Sequence, residues 1–407
     1  MKPRELESLT GVAVADVYKS GVAAGVLRRL VDAVEFSYRS DYLERGSPPV
    51  ATTLPLTEQP VRTHAGAVPP FFAGLLPEGR RLSSLRRAVK TSADDELSLL
   101  LAVGRDAIGD VQVVPEGIEP SPAEPLVQVT RDWSEVRFSD VLEDAGVVDP
   151  VALPGIQDKA SARMISVPVG RAGERYLLKV DPPEYPHVVE NEAFFLALAH
   201  RVGVRSASAS IVRDATDRPG LLVRRFDRLA LPDGTTQPLA CEDACQVLGR
   251  WPADKYNLTT EQVVVALADC CPARAVALRV LYQQLCYAWL TGNGDVHAKN
   301  LSVLATVEGE WRVSPAYDLP STVPYGDTSL ALSLQGRTRG IGRRHLLALA
   351  GAIGLPERAA VRVLDGLTER LSGLEEEIRA GALPFPQKVT ADLLAELRYR
   401  RRQAQIS

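Results

Sequence analysis

The chain has 407 residues, enough for two or three domains, and 45% of them are hydrophobic, as in ordinary globular proteins. Its 47 Lys and Arg residues against 51 Asp and Glu residues give a formal net charge of −4, which excludes a general polyanion binder and limits nucleic-acid contact to a local patch. The sequence has no apolar run long enough to predict a transmembrane helix and no recognisable secretory signal, so we expect a cytoplasmic protein without a membrane partner.

The cysteines and histidines do not indicate a metal centre or a disulfide framework. The five cysteines include no C-x-x-C pair, and the five histidines are scattered along the chain. An odd number of cysteines without regular spacing is typical of a reducing compartment. We therefore predict no structural zinc, and we interpret Cys241 and Cys245 as small packing residues.

The first 113 residues predict a small β-rich domain. Alternation of apolar and polar residues, with many β-branched and aromatic side chains, predicts strands over 11–18 and 33–38. A basic helix is predicted over 80–90, and Ser92 is predicted to cap a second helix whose first turn is acidic.

Residues 114–126 contain four prolines and no apolar periodicity, so they predict a linker. The stretch 127–240 predicts strands interrupted by one helix at 188–201, and the stretch 241–407 predicts helices broken by one hairpin near 301–314. A β-rich half followed by an α-rich half is typical of an α+β fold.

The densest group of polar residues is the loop that contains Asp295 and Asn300. An Asp and an Asn five residues apart, between a helix and a hairpin, form the catalytic loop of phosphoryl-transfer enzymes, in which the Asp accepts the substrate's hydroxyl proton and the Asn binds Mg²⁺. Asp318, 18 residues after Asn300, is placed to supply a second metal ligand. Each residue alone is also common in ordinary turns, but the combination favours catalysis.

Two upstream segments would supply the nucleotide side of such a site. The loop 153–159 has backbone N–H groups and a terminal lysine that can hold phosphate oxygens, although it is not a Walker loop. Lys179 lies in a predicted apolar strand, where an unpaired charge is costly, and the following helix offers Glu190 and Glu192 as partners. The alternative is an edge-strand lysine whose ammonium reaches solvent.

Two further segments are candidates for binding. The segment 239–246 connects the β-rich and α-rich halves, which is where a kinase-like fold would hold adenine by backbone hydrogen bonds. The C-terminus carries a basic cluster, which is usually a solvated helix end but which could also contact the DNA backbone. This cluster consists of Arg398, Arg400, Arg401 and Arg402.

Together these residues resemble the HipA family, the serine/threonine-kinase toxins of bacterial toxin–antitoxin pairs. The resemblance covers most of the chain, and it implies an α+β, two-lobed protein-kinase-like fold with a β-rich N-lobe at 127–240 and an α-helical C-lobe at 241–407. It also implies a small β-rich N-terminal subdomain at 1–113. The matching segments are 36–38, 54–56, 71–79, 104–112, 155–159, 178–179, 191–192, 225–228, 242–243, 295–300 and 317–318.

The resemblance implies ATP and Mg²⁺ as cofactors and gives roles to individual residues. Asp295 would be the catalytic base, Asn300 and Asp318 would bind the metal, and Glu192 would pair with Lys179. The residues that would contact ATP are Pro154, Gly155, Ile156, Gln157, Asp158, Lys159, Lys179, Glu242, Asp243, Ala244, His297, Ala298, Lys299, Asn300, Tyr317 and Asp318.

The resemblance also implies partners: a small helix-turn-helix antitoxin similar to HipB, operator DNA bound through the complex, and a protein substrate such as an aminoacyl-tRNA synthetase. One departure concerns regulation. Family members commonly carry a serine just before the phosphate loop, and its autophosphorylation inactivates the kinase, whereas this chain has Ala152 there. We therefore predict that the protein does not inactivate itself by phosphorylation at this place.

Three functions remain open from the sequence. The leading hypothesis is an ATP-dependent serine/threonine-protein kinase toxin. A small-molecule or lipid kinase is the first alternative, because an Asp-x-His-x-x-Asn loop also resembles those enzymes, but the N-terminal subdomain argues against it. A non-catalytic protein that binds the antitoxin and the operator is the second alternative, and the presence of all the expected catalytic residues disfavours it.

Overall fold

The computed structural model describes residues 6–120, 127–130, 132–144, 164–171, 173–182 and 184–406. The predicted phosphate loop from Pro154 to Lys159, Ala152 and part of the predicted linker lie outside the described residues. The strands are β1 (Val14–Lys19), β2 (Val22–Arg29), β3 (Ala33–Tyr38), β4 (Val61–His64), β5 (Val111–Pro115), β6 (Val127–Gln128), β7 (Ile165–Arg171), β8 (Glu174–Val180), β9 (Ala209–Arg213), β10 (Pro219–Arg224), β11 (Arg228–Ala230), β12 (Thr236–Pro238), β13 (Cys241–Asp243), β14 (Ser302–Ala305) and β15 (Trp311–Val313).

The helices include several short ones and several long ones in the C-terminal half. They are α1 (Ser40–Glu44), α2 (Pro70–Gly74), α3 (Gly79–Val89), α4 (Glu96–Val103), α5 (Phe138–Asp144), α6 (Val188–Arg201), α7 (Ala244–Val247), α8 (Thr260–Asp269), α9 (Arg274–Leu290), α10 (Arg343–Ile353), α11 (Glu357–Arg370), α12 (Leu374–Arg379) and α13 (Gln387–Gln405). No described helix combines the length and the low polarity that a bilayer crossing requires.

The N-terminal domain is built on a five-stranded antiparallel sheet in the order β4-β3-β2-β1-β5. The alternating pattern puts one face of β1 and β3 into a core that includes Val17 and Phe36, and the predicted strands over 11–18 and 33–38 are confirmed. Strand β5 extends to Pro115, so Val114 and Pro115, the first two residues of the predicted linker, belong to this sheet.

The predicted helix cap at Ser92 is wrong. Helix α4 starts later, and its N-cap is Asp95, whose carboxylate accepts a hydrogen bond from the Ser98 N–H at 3.3 Å. The same carboxylate pairs with Arg29 on strand β2 at 2.8 Å. Both residue types can cap a helix, and the ion pair with a neighbouring strand favours Asp95.

The N-lobe contains a second five-stranded sheet, in the order β6-β7-β8-β10-β9. Helix α6, which has the bounds predicted for it, packs on β9 and β10. Strand β8 carries Lys179, whose backbone pairs with Leu221 of β10. The lobe therefore places one face of a helix close to the lysine of a central strand.

The C-lobe is helical around α9, whose residues Leu281 and Tyr287 are fully buried in the largest hydrophobic core. The predicted hairpin is confirmed as β14 and β15, and β13 pairs with β14 at the edge of the same small sheet. Cys241 and Cys245 are buried and free, as packing residues are. The loop with Asp295 and Asn300 lies between α9 and this hairpin.

The N-terminal domain and the kinase-like region meet in a buried ionic network, here called the junction cluster: Asp106, Arg225, Asp227 and Arg228. The Asp227 carboxylate lies 2.8 Å from both guanidinium groups, and the Asp106 carboxylate lies 2.7 Å from Arg225 and 3.0 Å from Arg228. Asp227 also accepts a hydrogen bond from the Gly109 N–H at 2.9 Å. Two of the segments that carry the family resemblance, 104–112 and 225–228, therefore join the domains.

Candidate active site

Two glycines let the chain turn sharply from helix α9 into the catalytic loop. Gly292 has a φ of 74°, in the left-handed region that favours glycine. A Cβ on Gly294 would lie 2.3 Å from the carbonyl oxygen of Ser329, so a side chain does not fit there. The turn directs Asp295 and Asn300 inward, where both are buried.

Asp295 is held by hydrogen bonds to its backbone and to its carboxylate. Its N–H donates to Oδ1 of Asn293 at 2.9 Å, and its carbonyl oxygen accepts from Nδ2 of Asn300 at 2.9 Å. Its carboxylate Oδ1 accepts from the Tyr256 hydroxyl at 3.2 Å. A carboxylate fixed in this way, and already bound to a hydroxyl, can act as a general base toward a hydroxyl.

Asn300 connects the catalytic loop to Asp318. Its Nδ2 lies 3.2 Å from Oδ2 of Asp318, and Nδ2 of Asn293 donates to the Asp318 carbonyl oxygen at 3.1 Å. Asp318 has a φ of 55°, which Asp tolerates better than most residues. The structure therefore brings the two residues predicted to bind metal into contact.

Lys179 binds Glu192 rather than Glu190. Its ammonium donates to both carboxylate oxygens of Glu192, at 2.7 and 2.9 Å, and to Oδ1 of Asp318 at 3.2 Å. Glu190 instead lies 3.6 Å from the imidazole of His187. These contacts define the catalytic cluster, which consists of Lys179, Glu192, Asp295, Asn300 and Asp318.

The protonation of the cluster follows from burial and from the single ammonium. Burial raises the pKa of Glu192 to about 7, although Lys179 acts in the opposite direction. Burial also raises the pKa of Asp318, but the Lys179 ammonium outweighs it and holds that pKa below its usual value. Near neutral pH the lysine and Asp318 are therefore charged, and Glu192 is the group that can gain a proton.

The donor atoms of the cluster fit a hard divalent cation. The cluster contains three carboxylates and one ammonium, and that ammonium contacts Glu192 and Asp318. Carboxylates therefore outnumber the ammonium, and a carboxylate with an amide oxygen is a typical protein contribution to an Mg²⁺ site. The amide of Asn300 can present either its nitrogen or its oxygen by rotation. Among the described residues, no group of three His, Cys, Asp or Glu side chains is arranged to hold a metal, which leaves Asp318 and Asn300 as a two-residue donor set.

His297 adds a buried polar atom beside the cluster. Burial, together with the positive charge of Lys255, lowers its pKa to about 3, so the imidazole is neutral at physiological pH. Its Nδ1 is buried and has no hydrogen-bond partner among the described residues. Its ring packs edge-on against Tyr256 at a centroid distance of 5.2 Å. A ligand group bound here could satisfy the free nitrogen.

The side chains of Tyr317 and Lys299 bind protein groups. The Tyr317 hydroxyl donates to the Lys299 carbonyl oxygen at 2.6 Å. The Lys299 ammonium donates to the Gly74 carbonyl oxygen of the N-terminal domain at 3.0 Å and lies 3.5 Å from the Asp243 carboxylate. Ala298, between His297 and Lys299, is buried. Contact of these residues with ATP stays a prediction.

The segment from Glu242 to Ala244 lies where the N-terminal domain meets the C-lobe. The Glu242 carboxylate accepts hydrogen bonds from the N–H and the hydroxyl of Thr52, at 2.9 and 2.6 Å. Asp243 caps helix α7, and the Ala244 N–H donates to the Leu301 carbonyl oxygen at 3.0 Å. The predicted adenine contact therefore concerns the backbone of this segment and stays a prediction.

The prediction that Arg400 contacts DNA is wrong. Its guanidinium is buried and donates to the carbonyl oxygens of Trp289 and Thr328, at 2.8 and 2.7 Å. Helix α13 has one face packed against the protein and one face toward solvent, and Arg400 lies on the packed face. The other arginines differ: Arg398 and Arg401 lie 3.4 and 2.9 Å from the Glu375 carboxylate, and Arg402 is exposed.

Sequence reasoning assigned no role to Tyr256 and Glu78, although both side chains lie next to the catalytic loop. Tyr256 binds the Asp295 carboxylate, and Glu78 pairs with Lys299 at 3.2 Å. Glu78 lies in the segment 71–79, which carries the family resemblance, so the resemblance was the one available signal. Tyr256 lies in no recognised motif.

Known proteins match this chain along most of its length. The family description "HipA-like C-terminal domain" matches residues 151–373, and "HipA N-terminal domain" matches residues 15–114. A Sinorhizobium fredii protein named "Putative kinase Y4mE" is 30% identical over 84% of this chain and 87% of the relative. The Shewanella oneidensis "Serine/threonine-protein kinase toxin HipA" is 26% identical over 84% of this chain and 83% of the relative.

A solved structure has the same fold. It contains the Shewanella oneidensis MR-1 toxin–antitoxin proteins HipA and HipB with their operator DNA, and it matches with a TM-score of 0.77 at 21% identity. The match covers 96% of this chain and 97% of that chain. The α+β, kinase-like architecture predicted from the sequence is therefore confirmed.

Proposed function

This chain belongs to the HipA family, and we propose that it is an ATP- and Mg²⁺-dependent serine/threonine-protein kinase that acts as the toxin of a toxin–antitoxin pair. The observation that supports the proposal most strongly is the contact between Lys179, Glu192, Asn300 and Asp318 beside Asp295 in one buried cluster. Residues from both lobes, which are more than a hundred positions apart, converge there as phosphoryl transfer requires.

Each residue of the cluster has a role in this proposal. Asp318 and Asn300 would hold Mg²⁺, which supplies the neutralisation of the ATP phosphates. Lys179, oriented by Glu192, would donate to phosphate oxygens. Asp295 would accept the proton of the attacking serine or threonine hydroxyl. Catalysis would then depend on positioning and charge rather than on a covalent intermediate.

The partners follow from the relatives. One relative is named a serine/threonine-protein kinase toxin, and the matching structure contains HipB and operator DNA. We therefore propose a small antitoxin similar to HipB as the binding partner and operator DNA as a ligand of the complex. From the family resemblance we further propose that the antitoxin is a helix-turn-helix protein and that the substrate is a protein of the translation apparatus, such as an aminoacyl-tRNA synthetase.

The proposal is tested by comparing the wild type with Asp295→Ala in cells and in lysate. Expression should arrest growth, and the purified protein should transfer label from [γ-³²P]ATP to lysate protein. In Asp295→Ala the transfer should fall by at least about 100-fold, because a general base contributes on that order, and growth should recover. Asp233→Ala, in the exposed turn between β11 and β12, is the matched control and should behave as the wild type.

Other outcomes point to the alternatives. Label on small molecules alone would favour a small-molecule or lipid kinase. Unchanged growth arrest in Asp295→Ala would favour a protein that acts only by binding. Purified aminoacyl-tRNA synthetases, tested in place of lysate, decide the substrate part of the proposal.

A further inference from the structure

The N-terminal domain reaches the catalytic loop through one carboxylate. Glu78 immediately precedes helix α3, and it forms ion pairs with Lys255 and, at 3.2 Å, with Lys299. The Lys299 ammonium also donates to the carbonyl oxygen of Gly74 at 3.0 Å. We call Glu78, Lys255 and Lys299 the Glu78 bridge.

Both lysines of the bridge are next to residues that hold the catalytic loop. Lys299 immediately precedes Asn300. Lys255 immediately precedes Tyr256, whose hydroxyl donates to the Asp295 carboxylate at 3.2 Å. The carbonyl oxygen of Lys255 also accepts from the Ala298 N–H at 3.2 Å. Glu78 is therefore connected to both ends of the loop from Asp295 to Asn300.

The two lysines of the bridge are largely shielded from water, whereas the Glu78 side chain is 34% exposed. The side chains of Lys299 and Lys255 are 12% and 13% exposed. Burial alone would raise the pKa of Glu78, but the two ammonium groups outweigh it and lower that pKa to about 2. Without the Glu78 carboxylate, the next carboxylate near Lys299 is that of Asp243 at 3.5 Å.

The segment that carries the bridge is fixed against the C-lobe. The Phe71 carbonyl oxygen accepts from Nε2 of Gln246 on helix α7 at 2.9 Å. A Cβ on Gly74 would lie 2.6 Å from Cγ of Gln246, so a larger residue there would displace the Gln246 side chain that makes this hydrogen bond. This close packing sets the position of the Gly74 carbonyl, and with it the position of Glu78, relative to the catalytic loop.

We propose that Glu78 is a positioning residue for phosphoryl transfer, so that the N-terminal domain completes the active site across the domain boundary. The inference rests on the proposed kinase activity. Glu78 orders the catalytic loop from both of its ends. At one end it acts through Lys299 on Asn300. At the other end it acts through Lys255 and Tyr256 on Asp295. A contact that only docked the domain would affect stability and leave turnover unchanged.

The experiment compares Glu78→Gln and Glu78→Asp with a docking control, Asp106→Asn, which breaks a domain contact away from the catalytic loop. For each purified full-length variant, three quantities are measured: kcat, KM for ATP and the midpoint of chemical unfolding. For Glu78→Gln we expect kcat to fall about 10- to 100-fold, since a misplacement of about 1 Å can cost 100-fold. KM for ATP should stay within about threefold, because a positioning role affects the transition state more than ground-state binding. Glu78→Asp keeps the charge and should recover most of the rate.

The control separates positioning from docking. Asp106→Asn should lower the unfolding midpoint while kcat stays within about twofold of the wild type. A folded Glu78→Gln variant with wild-type kcat would overturn the inference, and so would an equal loss of kcat in Asp106→Asn. A wild-type protein without phosphotransferase activity would instead remove the proposed function, so the two failures are distinguishable.

Lys255→Gln removes the bridge from the C-lobe side, so it keeps the test decisive if Glu78→Gln is unstable, and it should lower kcat in the same direction. If Glu78 acts through Lys255, the loss of kcat in Glu78→Gln combined with Lys255→Gln should be smaller than the product of the two separate losses. A wild-type kcat in Lys255→Gln, or losses that multiply fully, would contradict the inference.

Discussion

The catalytic cluster and the junction cluster are both buried groups of charged side chains, but they differ in charge balance. In the junction cluster two arginines face two aspartates, and each carboxylate contacts both guanidinium groups. A third arginine, Arg81, lies close enough for burial and the Arg225 charge to lower its pKa to about 10. In the catalytic cluster the Lys179 ammonium contacts two carboxylates, those of Glu192 and Asp318, and the cluster contains a third carboxylate, that of Asp295.

The comparison shows how burial of charge can serve either structure or ligand binding. A buried ion pair is tolerated when its partners satisfy each other, as in the junction cluster, whereas surplus charge is costly until a counter-ion arrives. In the catalytic cluster this cost is visible at Glu192, where burial raises the pKa to about 7. We interpret the surplus as the requirement for a bound cation.

The largest expected effect is the loss of Asp227. Asp227→Asn leaves two buried arginines with Asp106 as their one remaining carboxylate in the cluster, and breaking a buried pair typically costs about 3–5 kcal/mol. Denaturant unfolding should show a drop of this size in the free energy of unfolding. Asp233→Asn, at an exposed turn, is the control and should change it by less than about 0.5 kcal/mol. Equal unfolding free energies in both variants would show that the junction cluster does not hold the domains.

A smaller effect is expected in the catalytic cluster. Lys179→Met leaves Glu192 without its ammonium, but Glu192 can take a proton because its pKa already lies near 7. We expect a loss of about 1–3 kcal/mol in the free energy of unfolding. Adding Glu192→Gln should restore part of it, because glutamine is neutral without the cost of taking up a proton on folding. A loss as large as that of Asp227→Asn, unrelieved by the second substitution, would remove the distinction between the clusters.

The smallest effect is a pH dependence that arises at His297. Burial and the Lys255 charge lower its pKa to about 3, so between pH 6.5 and 3 the unfolded chain binds a proton that the folded protein does not. The free energy of unfolding should therefore fall as the pH drops below 6.5, by up to about 1.4 kcal/mol per pH unit from this group. Measured at pH 7 and pH 5.5, His297→Gln should lose about 1 kcal/mol less than the wild type. An identical loss in both proteins would contradict a buried neutral imidazole.

Local pattern was sufficient for much of the fold. Helix α6 has its predicted bounds because apolar periodicity and its flanking residues agree, and the hairpin of β14 and β15 follows from two short apolar runs around a glycine turn. The choice of Asp95 over Ser92 as a helix cap could not be predicted in this way. It depends on Arg29, which is more than sixty residues away in the sequence.

The residues at the centre of the site could be predicted from the sequence, but the contacts of the residues around them could not. The spacing of Asp295, Asn300 and Asp318 indicated a cluster, and the structure brings them together. Spacing carries no information on which domain a side chain faces: the Lys299 ammonium binds Gly74 and Glu78 of the N-terminal domain, and contact of Lys299 with ATP stays a prediction. Arg400 was included in a possible DNA contact because a run of arginines does not reveal which of them is buried.

The most direct test of the central claim, that the surplus carboxylates hold a cation with its nucleotide, is calorimetric binding of a non-hydrolysable ATP analogue with and without Mg²⁺. The wild type should bind at least about tenfold more tightly with Mg²⁺, a difference of about 1.4 kcal/mol. Asp318→Asn should lose this difference, whereas Asp227→Asn should keep it. The same dependence on Mg²⁺ in the wild type and in Asp318→Asn would contradict the account.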